Sequence, residues 1–338
     1  MRAFVITGPN HGEVQEVPEP EAGPGQAVVD VERAGVCGTD AEIFSGAMAY
    51  LETGDTVYPV RIGHEWCGTV SAVGPGTDES WLGKRVTGDT MLGCGHCPLC
   101  RKGRQHLCAD RFEIGVRHGW PGALAEQLPV PASALVELPD SVDEVLGALV
   151  EPGGNALRSV RGAGLVPGSR VLVLGPGTIG LLVAQIAEAH GAEVHLLGRS
   201  DRSREFAAGL GFSRISTLET LDRTVDFDAV IDASNDVRMP ALAAKLVTPG
   251  GRIVLIGLAG EPSLVDTRTL ALKDVTAVGV LSASGGLQGT VDLFASGRVD
   301  PRPLVSATVG LEQVADVLRG QRPPGSGPGP KIHVDPRL

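Results

Sequence analysis

The sequence contains little cysteine, no excess of basic residues and no long unbroken hydrophobic run. Lys and Arg number 29 against 40 Asp and Glu, so the net charge is −11 at pH 7. Because no basic stripe is present to meet phosphates, a nucleic-acid partner is disfavoured. The N-terminal segment MRAFVITGPN lacks the apolar core of about 7–15 residues that a signal peptide needs. A cytoplasmic, and therefore reducing, location is expected.

One uncharged stretch, Val171–Ala187, could be mistaken for a membrane span. It is 17 residues long, at the bottom of the spanning range. Gly175-Pro176-Gly177 also interrupts it. A buried strand, a turn and a helix fit this pattern better, so no membrane partner is expected.

The length of 338 residues predicts about two domains. The 47 glycines and 24 prolines predict many turns and short strands. They punctuate the first 150 residues every eight to twelve positions, a spacing typical of a mostly β region. They show no G-x-y period, so a collagen-like chain is excluded.

Four of the six cysteines are crowded into fifteen positions with the spacing C-x2-C-x2-C-x7-C. Disulfides are disfavoured in a reducing compartment. Two-residue gaps let successive thiolates turn towards one ion, and four thiolates about 2.3 Å from Zn²⁺ leave no open position. The pattern predicts a structural zinc, with an iron–sulfur cluster or unligated thiols as alternatives. The predicted ligands are Cys94, Cys97, Cys100 and Cys108, in a lobe at about residues 92–110.

A second, dispersed ligand set is suggested by Cys37 in GVCGTD, His64 and Glu65 in IGHEW, and Glu151 in LVEPGGNAL. One thiolate, one imidazole and a carboxylate form a ligand set typical of a catalytic zinc with an open position. Each residue alone is weak, because loop histidines and acidic residues near helix starts are common. The remaining cysteine, Cys67, is expected to be a small buried side chain.

A glycine-rich turn between an apolar run and a helical pattern predicts a dinucleotide site. The run Ser169–Leu174 is followed by GPGTIG, a helix to about His190 and a second strand at Glu193–Leu197. Such glycines let the backbone approach a pyrophosphate at the positive end of the helix. The candidate cofactor residues in this turn are Gly175, Gly177, Thr178, Ile179 and Gly180.

The residue at the end of the second strand decides which cofactor is preferred. NAD enzymes place a carboxylate there for the ribose 2′-hydroxyl, but this chain has Gly198, followed by Arg199 and Ser200, with Arg204 nearby. These side chains could bind a 2′-phosphate through charge-assisted hydrogen bonds. NADP is predicted, with NAD or an inconsequential charged loop as alternatives.

Later segments continue the strand–helix rhythm. Phe227–Ser234, Gly250–Leu258 and Val275–Leu281 are predicted to be buried parallel strands. The tail predicts an amphipathic helix at Leu311–Arg319, a Gly/Pro-rich loop and a closing strand, KIHVD.

Together, GVCGTD, GHEWCGTV, the four-cysteine lobe, VEP and the glycine-rich turn resemble the zinc-dependent medium-chain alcohol and polyol dehydrogenases. The resemblance implies an α/β fold: a doubly wound Rossmann parallel sheet plus a mostly β, GroES-like catalytic domain with a structural zinc lobe. It implies a catalytic domain at 1–152, an NADP-binding domain at 153–287 and a segment, 288–338, that returns to the catalytic domain. One catalytic and one structural zinc, and a homodimer or homotetramer, are also implied.

By the same resemblance, Cys37, His64 and Glu151 are catalytic-zinc ligands, and Glu65 is a direct or alternating ligand. Thr39 is placed to relay the hydroxyl proton. Many relatives carry a histidine five residues after the ligand cysteine, whereas this chain has Glu42, which leaves a carboxylate or water route for the proton.

The stretch CGTDAEIFSGAMAYLETGD resembles the archaeal-type glucose and sorbitol dehydrogenase branch, as does RFEIGV, whose Glu113 would contact a sugar hydroxyl. Ser282 replaces an amide residue of that group, so a sugar, polyol or cyclitol-like secondary alcohol is expected rather than glucose itself. The alternatives are a zinc dehydrogenase of simple secondary alcohols or of amino alcohols such as threonine, a zinc-free quinone or enone reductase, and a non-catalytic cofactor-binding protein. For Glu113, the alternative is an ordinary surface carboxylate beside the zinc lobe.

Overall fold

The computed structural model describes residues 1–338. The chain divides into two compact units: the first comprises Met1–Glu151 and Leu287–Leu338, and the second Pro152–Gly286. The first unit is therefore discontinuous in sequence.

The chain contains 18 strands. In chain order they are β1 (Arg2–Gly8), β2 (His11–Glu16), β3 (Gln26–Gly35), β4 (Val60–Arg61), β5 (Glu65–Val73), β6 (Arg85–Gly88), β7 (Met91–Leu92), β8 (Phe112–Glu113), β9 (Gln127–Pro131), β10 (Leu135–Glu137), β11 (Arg170–Leu174), β12 (Glu193–Leu197), β13 (Ile215–Ser216), β14 (Phe227–Asp232), β15 (Val247–Leu255), β16 (Thr276–Gly279), β17 (Val305–Val309) and β18 (Lys331–Val334).

The α-helices number 11, and most are short. They are α1 (Gly38–Ser45), α2 (Ala49–Thr53), α3 (Pro98–Arg101), α4 (Glu144–Ala148), α5 (Val150–Ala163), α6 (Thr178–Ala189), α7 (Asp201–Gly209), α8 (Met239–Leu246), α9 (Thr267–Leu272), α10 (Leu287–Ala295) and α11 (Val314–Leu318). None of these helices has the length and apolar character that crossing a membrane would require.

The first unit is built on a seven-stranded sheet with the order β10-β6-β5-β3-β18-β17, in which β9 also pairs with β3. β3 runs antiparallel to both β5 and β18. A three-stranded sheet, β2-β1-β4, and the two-stranded β7-β8 complete the unit. Its core includes Phe4, Ile62, Trp66 and Leu124, each at most 1% exposed. The central position of β3 brings β5 and β18 to opposite sides of one strand.

The second unit contains a six-stranded parallel sheet with the order β13-β12-β11-β14-β15-β16. The central strand, β11, has the sequence RVLVL, in which only Arg170 is exposed. Continuous apolar runs of this kind are typical of parallel strands that are covered on both faces. Leu172, Phe227, Val230 and Ile253 belong to the core.

Most of the predicted strands are present. The strand predicted at Glu193–Leu197 is β12, and those predicted at Phe227–Ser234 and Gly250–Leu258 are β14 and β15, each of which ends two or three residues earlier. The strand predicted at Val275–Leu281 is β16, and the prediction that it is buried was wrong. In β16 the side chains of Thr276 and Ala277 are exposed, because β16 is an edge strand with a neighbour on one side only.

The C-terminal helix is also shorter than predicted. A 3₁₀ turn at Leu311–Gln313 precedes α11, which ends at Leu318. The closing strand is β18, which pairs with β3 and β17.

Candidate metal and cofactor sites

The first candidate metal site forms where β3 ends and β5 begins. Cys37 is the N-cap of α1, and His64 immediately precedes β5, whose first residue is Glu65. The Cys37 Sγ, a ring nitrogen of His64 and a carboxylate oxygen of Glu65 lie within 4.8 Å of one another. Because zinc bonds measure about 2.0–2.3 Å, two ligand atoms on one ion are at most about 4.6 Å apart. The spacing is therefore compatible with a shared ion.

Asp40 connects Cys37 with His64. It is fully buried; its Oδ2 accepts a hydrogen bond of 2.8 Å from the Cys37 N–H, and its Oδ1 lies 3.5 Å from His64 Nδ1. Burial disfavours the imidazolium, but Asp40, aided by Cys37, outweighs that effect and raises the pKa of His64 well above its usual range. A carboxylate beside one ring nitrogen fixes the orientation in which the other binds a metal.

Two buried polar atoms show how the imidazole is held. Asp40 Oδ1 and His64 Nδ1 have no other hydrogen-bond partner in the protein and lie 3.5 Å apart, which leaves the other ring nitrogen for a metal. The donor set, one thiolate and one imidazole beside a carboxylate, suits zinc. The residues present therefore fit a zinc ion.

Glu65 is held by a buried lysine. Both of its carboxylate oxygens accept hydrogen bonds from Lys331 Nζ, at 2.7 and 2.6 Å, and the same Nζ donates to the Val36 carbonyl at 2.9 Å. Burial alone would lower the pKa of Lys331, but Glu65 and other anions nearby raise it above its usual value. Glu65 is therefore ion-paired rather than free.

Gly35 makes the contact between Glu65 and Lys331 possible. It lies on β3 opposite Glu65 and, on its other side, opposite His333 of β18. A Cβ at position 35 would lie 2.0 Å from Glu65 Oε2, so any side chain here would collide with the carboxylate. Glycine leaves the space through which Glu65 reaches across the sheet.

The other predicted residues of this site lie on two helices. Glu151 is buried in the first turn of α5 but does not belong to the group of three ligand atoms described above. Thr39 and Glu42 both lie on α1, the helix capped by Cys37. Glu42 is at the surface, and partial burial raises its pKa.

The second candidate metal site is the lobe between β7 and β8. Its four sulfur atoms lie within 4.8 Å of one another and belong to Cys94, Cys97, Cys100 and Cys108. The Cys97 N–H lies 3.4 Å from Cys94 Sγ, and hydrogen bonds from the His96 and Cys97 N–H groups lower the pKa of Cys94 to about 6. Gly93 allows the close approach, because a Cβ there would lie 2.5 Å from Cys100 Sγ. Four convergent thiols fit a structural zinc.

The glycine-rich turn of the second unit joins β11 to α6. Gly175 has a φ of +90°, which favours glycine. A Cβ on Gly180 would lie 2.0 Å from the Gly175 carbonyl oxygen, so Gly180 permits close packing of the helix on the turn. Gly177 is the N-cap of α6, whose first residues are Thr178 and Ile179. The positive end of this helix can hold a phosphate group.

At the end of β12 there is no room for an acidic side chain. A Cβ on Gly198 would lie 2.8 Å from the Pro176 ring and 3.0 Å from Arg204 Cγ. Arg204 donates to the carbonyls of Gly198 and Arg199, at 3.1 and 2.8 Å, and also pairs with Asp201. Arg204 therefore shapes the turn rather than projecting from it.

Arg199 and Ser200 have different roles in this turn. The Ser200 hydroxyl caps α7 by accepting from the Ser203 N–H. Arg199 lines a cleft of about 660 Å³ together with Asn235, Asp236 and Glu261. Of the predicted cofactor side chains, Arg199 is thus the cation that faces the cleft.

Glu113, the predicted substrate contact, is buried at the end of β8 and is 6% exposed. Its Oε1 accepts hydrogen bonds from Arg111 Nε at 2.9 Å and from the Tyr50 hydroxyl at 3.3 Å. The same segment approaches the first metal site, because a Cβ on Gly115 would lie 2.7 Å from the carbonyl oxygen of Gly63, the neighbour of His64.

Comparisons with known proteins agree on the family. Residues 23–140 match the alcohol dehydrogenase GroES-like domain, and residues 178–296 match the zinc-binding dehydrogenase domain. The chain is 32% identical over 305 residues to 2-dehydro-3-deoxy-L-galactonate 5-dehydrogenase of Pseudoalteromonas atlantica, covering 87% of each chain. It is 35% identical over 291 residues to L-threonine 3-dehydrogenase of Saccharopolyspora erythraea, covering 83% of each. The chain belongs to the zinc-binding alcohol dehydrogenase family.

Solved structures show the same fold for this dehydrogenase. A zinc-binding dehydrogenase of Sinorhizobium meliloti 1021 bound to NADP has a TM-score of 0.89 and 29% identity, over 99% of each chain. An alcohol dehydrogenase of Escherichia coli CFT073 complexed with NADH has a TM-score of 0.90 and 26% identity, also over 99% of each chain. The predicted fold class, GroES-like plus Rossmann, is confirmed, as is the prediction of a zinc-dependent oxidoreductase.

Sequence reasoning missed three side chains around the sites of the dehydrogenase: Asp40, Lys331 and Arg111. Asp40 stands in the GVCGTD segment, three residues after Cys37, so an acidic residue one helical turn beyond a ligand was a signal that could have found it. No signal pointed to Lys331, which is 266 positions from Glu65. Cys67 was predicted to be a small buried side chain, and this is confirmed by its 0% exposure.

Proposed function

We propose that this dehydrogenase oxidises a secondary hydroxyl of a sugar, polyol or cyclitol-like compound to a ketone and transfers the hydride to NADP⁺, or catalyses the reverse reaction. The observation that carries the substrate class is the buried carboxylate of Glu113. Its Oε1 accepts hydrogen bonds from Arg111 and Tyr50. Its Oε2 accepts no hydrogen bond from the protein and retains contact with solvent. A fixed, accessible acceptor suits a substrate that carries hydroxyls beyond the one oxidised.

Cys37 and His64 are the proposed protein ligands of the catalytic ion, with Glu151 the ligand that the family resemblance adds. A zinc ion held there would supply Lewis-acid activation of the alcohol oxygen. Asp40 lies beside His64 Nδ1 and orients the ring, so that the other ring nitrogen would bind the ion as a neutral donor. Lys331 holds Glu65 by both oxygens, which leaves its carboxylate as an alternating rather than a permanent ligand.

The proton of the alcohol needs a route to solvent. We propose Thr39, two positions after Cys37 on α1, as its first acceptor, and Glu42 as the next. Both side chains lie on one face of the helix because they are three residues apart. The raised pKa of Glu42 brings it nearer to the working pH, where proton exchange is most efficient.

A preference for NADP(H) is supported by the end of β12. The Pro176 ring and the Arg204 stem fill the space that a carboxylate at position 198 would need, and Arg199 lines the cleft. Comparing kcat/KM for NADP⁺ and NAD⁺ tests this, and Arg199→Ala should lower the NADP⁺ value while leaving the NAD⁺ value nearly unchanged. A wild-type preference for NAD⁺ would overturn the assignment.

The substrate class is tested with a panel of sugars, inositols and monohydric secondary alcohols, assayed with zinc-replete protein. Glu113→Ala should lower kcat/KM for polyols by about 10-fold or more and leave that for monohydric alcohols within about twofold. Glu52→Ala, on the exposed surface of α2, is the matched control. Equal activity of wild type and Glu113→Ala on every polyol would contradict the proposal.

Oxidation of an amino alcohol is the second candidate function. It is supported by the 35% identity to a threonine dehydrogenase. L-threonine therefore belongs in the same panel, and a kcat/KM for threonine above that of all polyols would favour this alternative.

We also propose a homo-oligomer, a dimer or tetramer, in the cytoplasm. The support is β16, an edge strand with exposed side chains, near Leu272, which is 88% exposed. Unpaired strand edges readily pair with a second chain. Light scattering after size exclusion should show at least two chains, and Ala277→Lys should lower that number.

A further inference from the structure

Arg111 joins three segments of the first unit through one guanidinium group. Its Nε donates to Glu113 Oε1 at 2.9 Å, its Nη2 to the Tyr50 hydroxyl at 3.3 Å, and its Nη1 to the Cys108 carbonyl at 3.4 Å. These partners lie on β8, on α2 and in the four-cysteine lobe respectively. The guanidinium therefore fixes the carboxylate relative to two other parts of the fold.

The pairing is shielded from solvent. The side chains of Arg111 and Glu113 are 15% and 7% exposed, so the ion pair is screened much less than a surface pair. Burial alone would lower the pKa of Arg111, but Glu113 raises it above its usual value. Without Arg111, a mostly buried Glu113 would lose its charge partner and the contact that fixes the orientation of its carboxylate.

Only one of the two oxygens of the Glu113 carboxylate has hydrogen-bond partners in the protein. Both protein donors bind Oε1, so Oε2 is left for an outside donor. A substrate hydroxyl that donates to Oε2 meets a carboxylate whose rotation is already restricted, and such preorganisation reduces the entropy lost on binding.

We propose that Arg111 is a positioning residue for substrate recognition: it holds Glu113 Oε1 and thereby aims Oε2 at a substrate hydroxyl without touching the substrate itself. The proposal rests on the proposed function, in which Glu113 accepts a hydrogen bond from a polyol. It goes further by assigning discrimination between polyols and simple alcohols to the Arg111–Tyr50–Glu113 cluster. Because Arg111 also donates to the Cys108 carbonyl, the proposal connects this substrate discrimination with the four-cysteine lobe.

The test compares kcat and KM of zinc-loaded holoenzyme for one polyol found in the panel and for one monohydric secondary alcohol. Arg111→Met should lower kcat/KM for the polyol by about 10-fold to 100-fold, mainly through KM. The value for the monohydric alcohol should stay within about twofold. Arg111→Lys, which keeps the charge but loses the planar fork, should recover part of the loss.

Arg117→Met is the matched control. Arg117 is a neighbouring arginine whose side chain is 14% exposed, about as buried as that of Arg111. It stacks on the Tyr50 ring, 5.5 Å from its centroid, but it pairs with Asp55 at 2.9 Å rather than with Glu113. A loss of polyol discrimination in Arg117→Met equal to that in Arg111→Met would overturn the proposal.

The double variant Arg111→Met/Glu113→Ala separates positioning from direct contact. If Arg111 acts through Glu113, the double variant should lose no more than Glu113→Ala alone. Additive losses would overturn the proposal, because Arg111 would then bind the substrate itself. The zinc content and thermal midpoint of Arg111→Met show whether Arg111 has only a structural role. If the loss of polyol activity simply follows a loss of zinc from the four-cysteine lobe, the proposal is overturned.

Two outcomes distinguish this inference from the proposed function. If Glu113→Ala loses polyol activity but Arg111→Met does not, only the role of Arg111 is wrong. If neither variant loses it, Glu113 does not contact the substrate and the proposed function fails with the inference. If Arg111→Met folds poorly, Tyr50→Phe provides a second test, because it removes one 3.3 Å donor to Oε1 and keeps the ring. It should show a smaller loss of polyol kcat/KM than Arg111→Met.

Discussion

Replacing Lys331 by methionine should destabilise the first unit strongly. The pair that Lys331 forms with Glu65 is almost completely buried, with side-chain exposures of 4% and 2%. Methionine keeps most of the length of the lysine side chain but leaves the Glu65 carboxylate without a counter-charge. Removing one partner of a buried ion pair costs about 3–5 kcal/mol. For a domain of about 150–250 residues, each kcal/mol lowers Tm by about 2–4 °C, so a decrease of about 6–20 °C is expected.

The measurement is thermal unfolding of zinc-replete protein at a fixed scan rate. Lys84→Met is the matched control, because Lys84 also binds a glutamate, Glu137, at 2.7 Å, but with exposures of 36% and 54%. A surface pair of this kind contributes about 0–1 kcal/mol. The double variant Lys331→Met/Glu65→Gln, which removes both charges, should recover most of the lost stability.

Two results would refute this reasoning about the buried pair. One is a Tm for Lys331→Met equal to that of Lys84→Met. The other is a double variant as unstable as Lys331→Met, which would mean that the lysine stabilises the fold through packing rather than by compensating the Glu65 charge.

Three further outcomes are expected. Metal analysis of the wild-type protein should find about two zinc ions per chain. Cys100→Ser should keep about one, whereas Cys67→Ser should keep two, because the Cys67 thiol is outside both ligand groups. Equal zinc contents in the two variants would contradict the assignment of a zinc ion to the four-cysteine lobe. Gly35→Ala should lower activity and Tm, since its Cβ would lie 2.0 Å from Glu65 Oε2, whereas Gly38→Ala, with no atom within 4 Å, should change Tm little. Burial raises the pKa of Cys67 far above its usual range, so this thiol stays protonated and should resist alkylation at pH 9 until the protein unfolds, as mass spectrometry can check.

The parts of the fold that sequence predicts well are those set by local pattern. The β11 run, the glycine turn and β12 follow one another within about 30 residues, and the apolar periods and turn residues define them. The edge position of β16 does not follow from its sequence, because VTAVGVL has the apolar character of a buried strand. Only the sheet order shows that one side of it has no neighbour.

Some residues of the candidate metal site can likewise be predicted from local sequence, and others cannot. Cys37 and His64 belong to short segments whose composition suggests ligands, and the same segments carry Asp40 and Glu65. Lys331 could not be predicted, because an isolated lysine in KIHVD carries no sign of burial. Its role depends on the pairing of β18 with β3 and on the missing side chain of Gly35, which are properties of the tertiary structure.

The position of Lys331 in the chain has a consequence for biosynthesis. Its carboxylate partner is translated 266 residues earlier, which at about 5–20 residues per second amounts to about 13–53 s. During that interval a nascent chain carries Glu65 with no cation to bury it against. The amino-terminal unit cannot complete its folding on the ribosome ahead of the nucleotide-binding unit, so it should need chaperone protection until the last strand emerges from the exit tunnel.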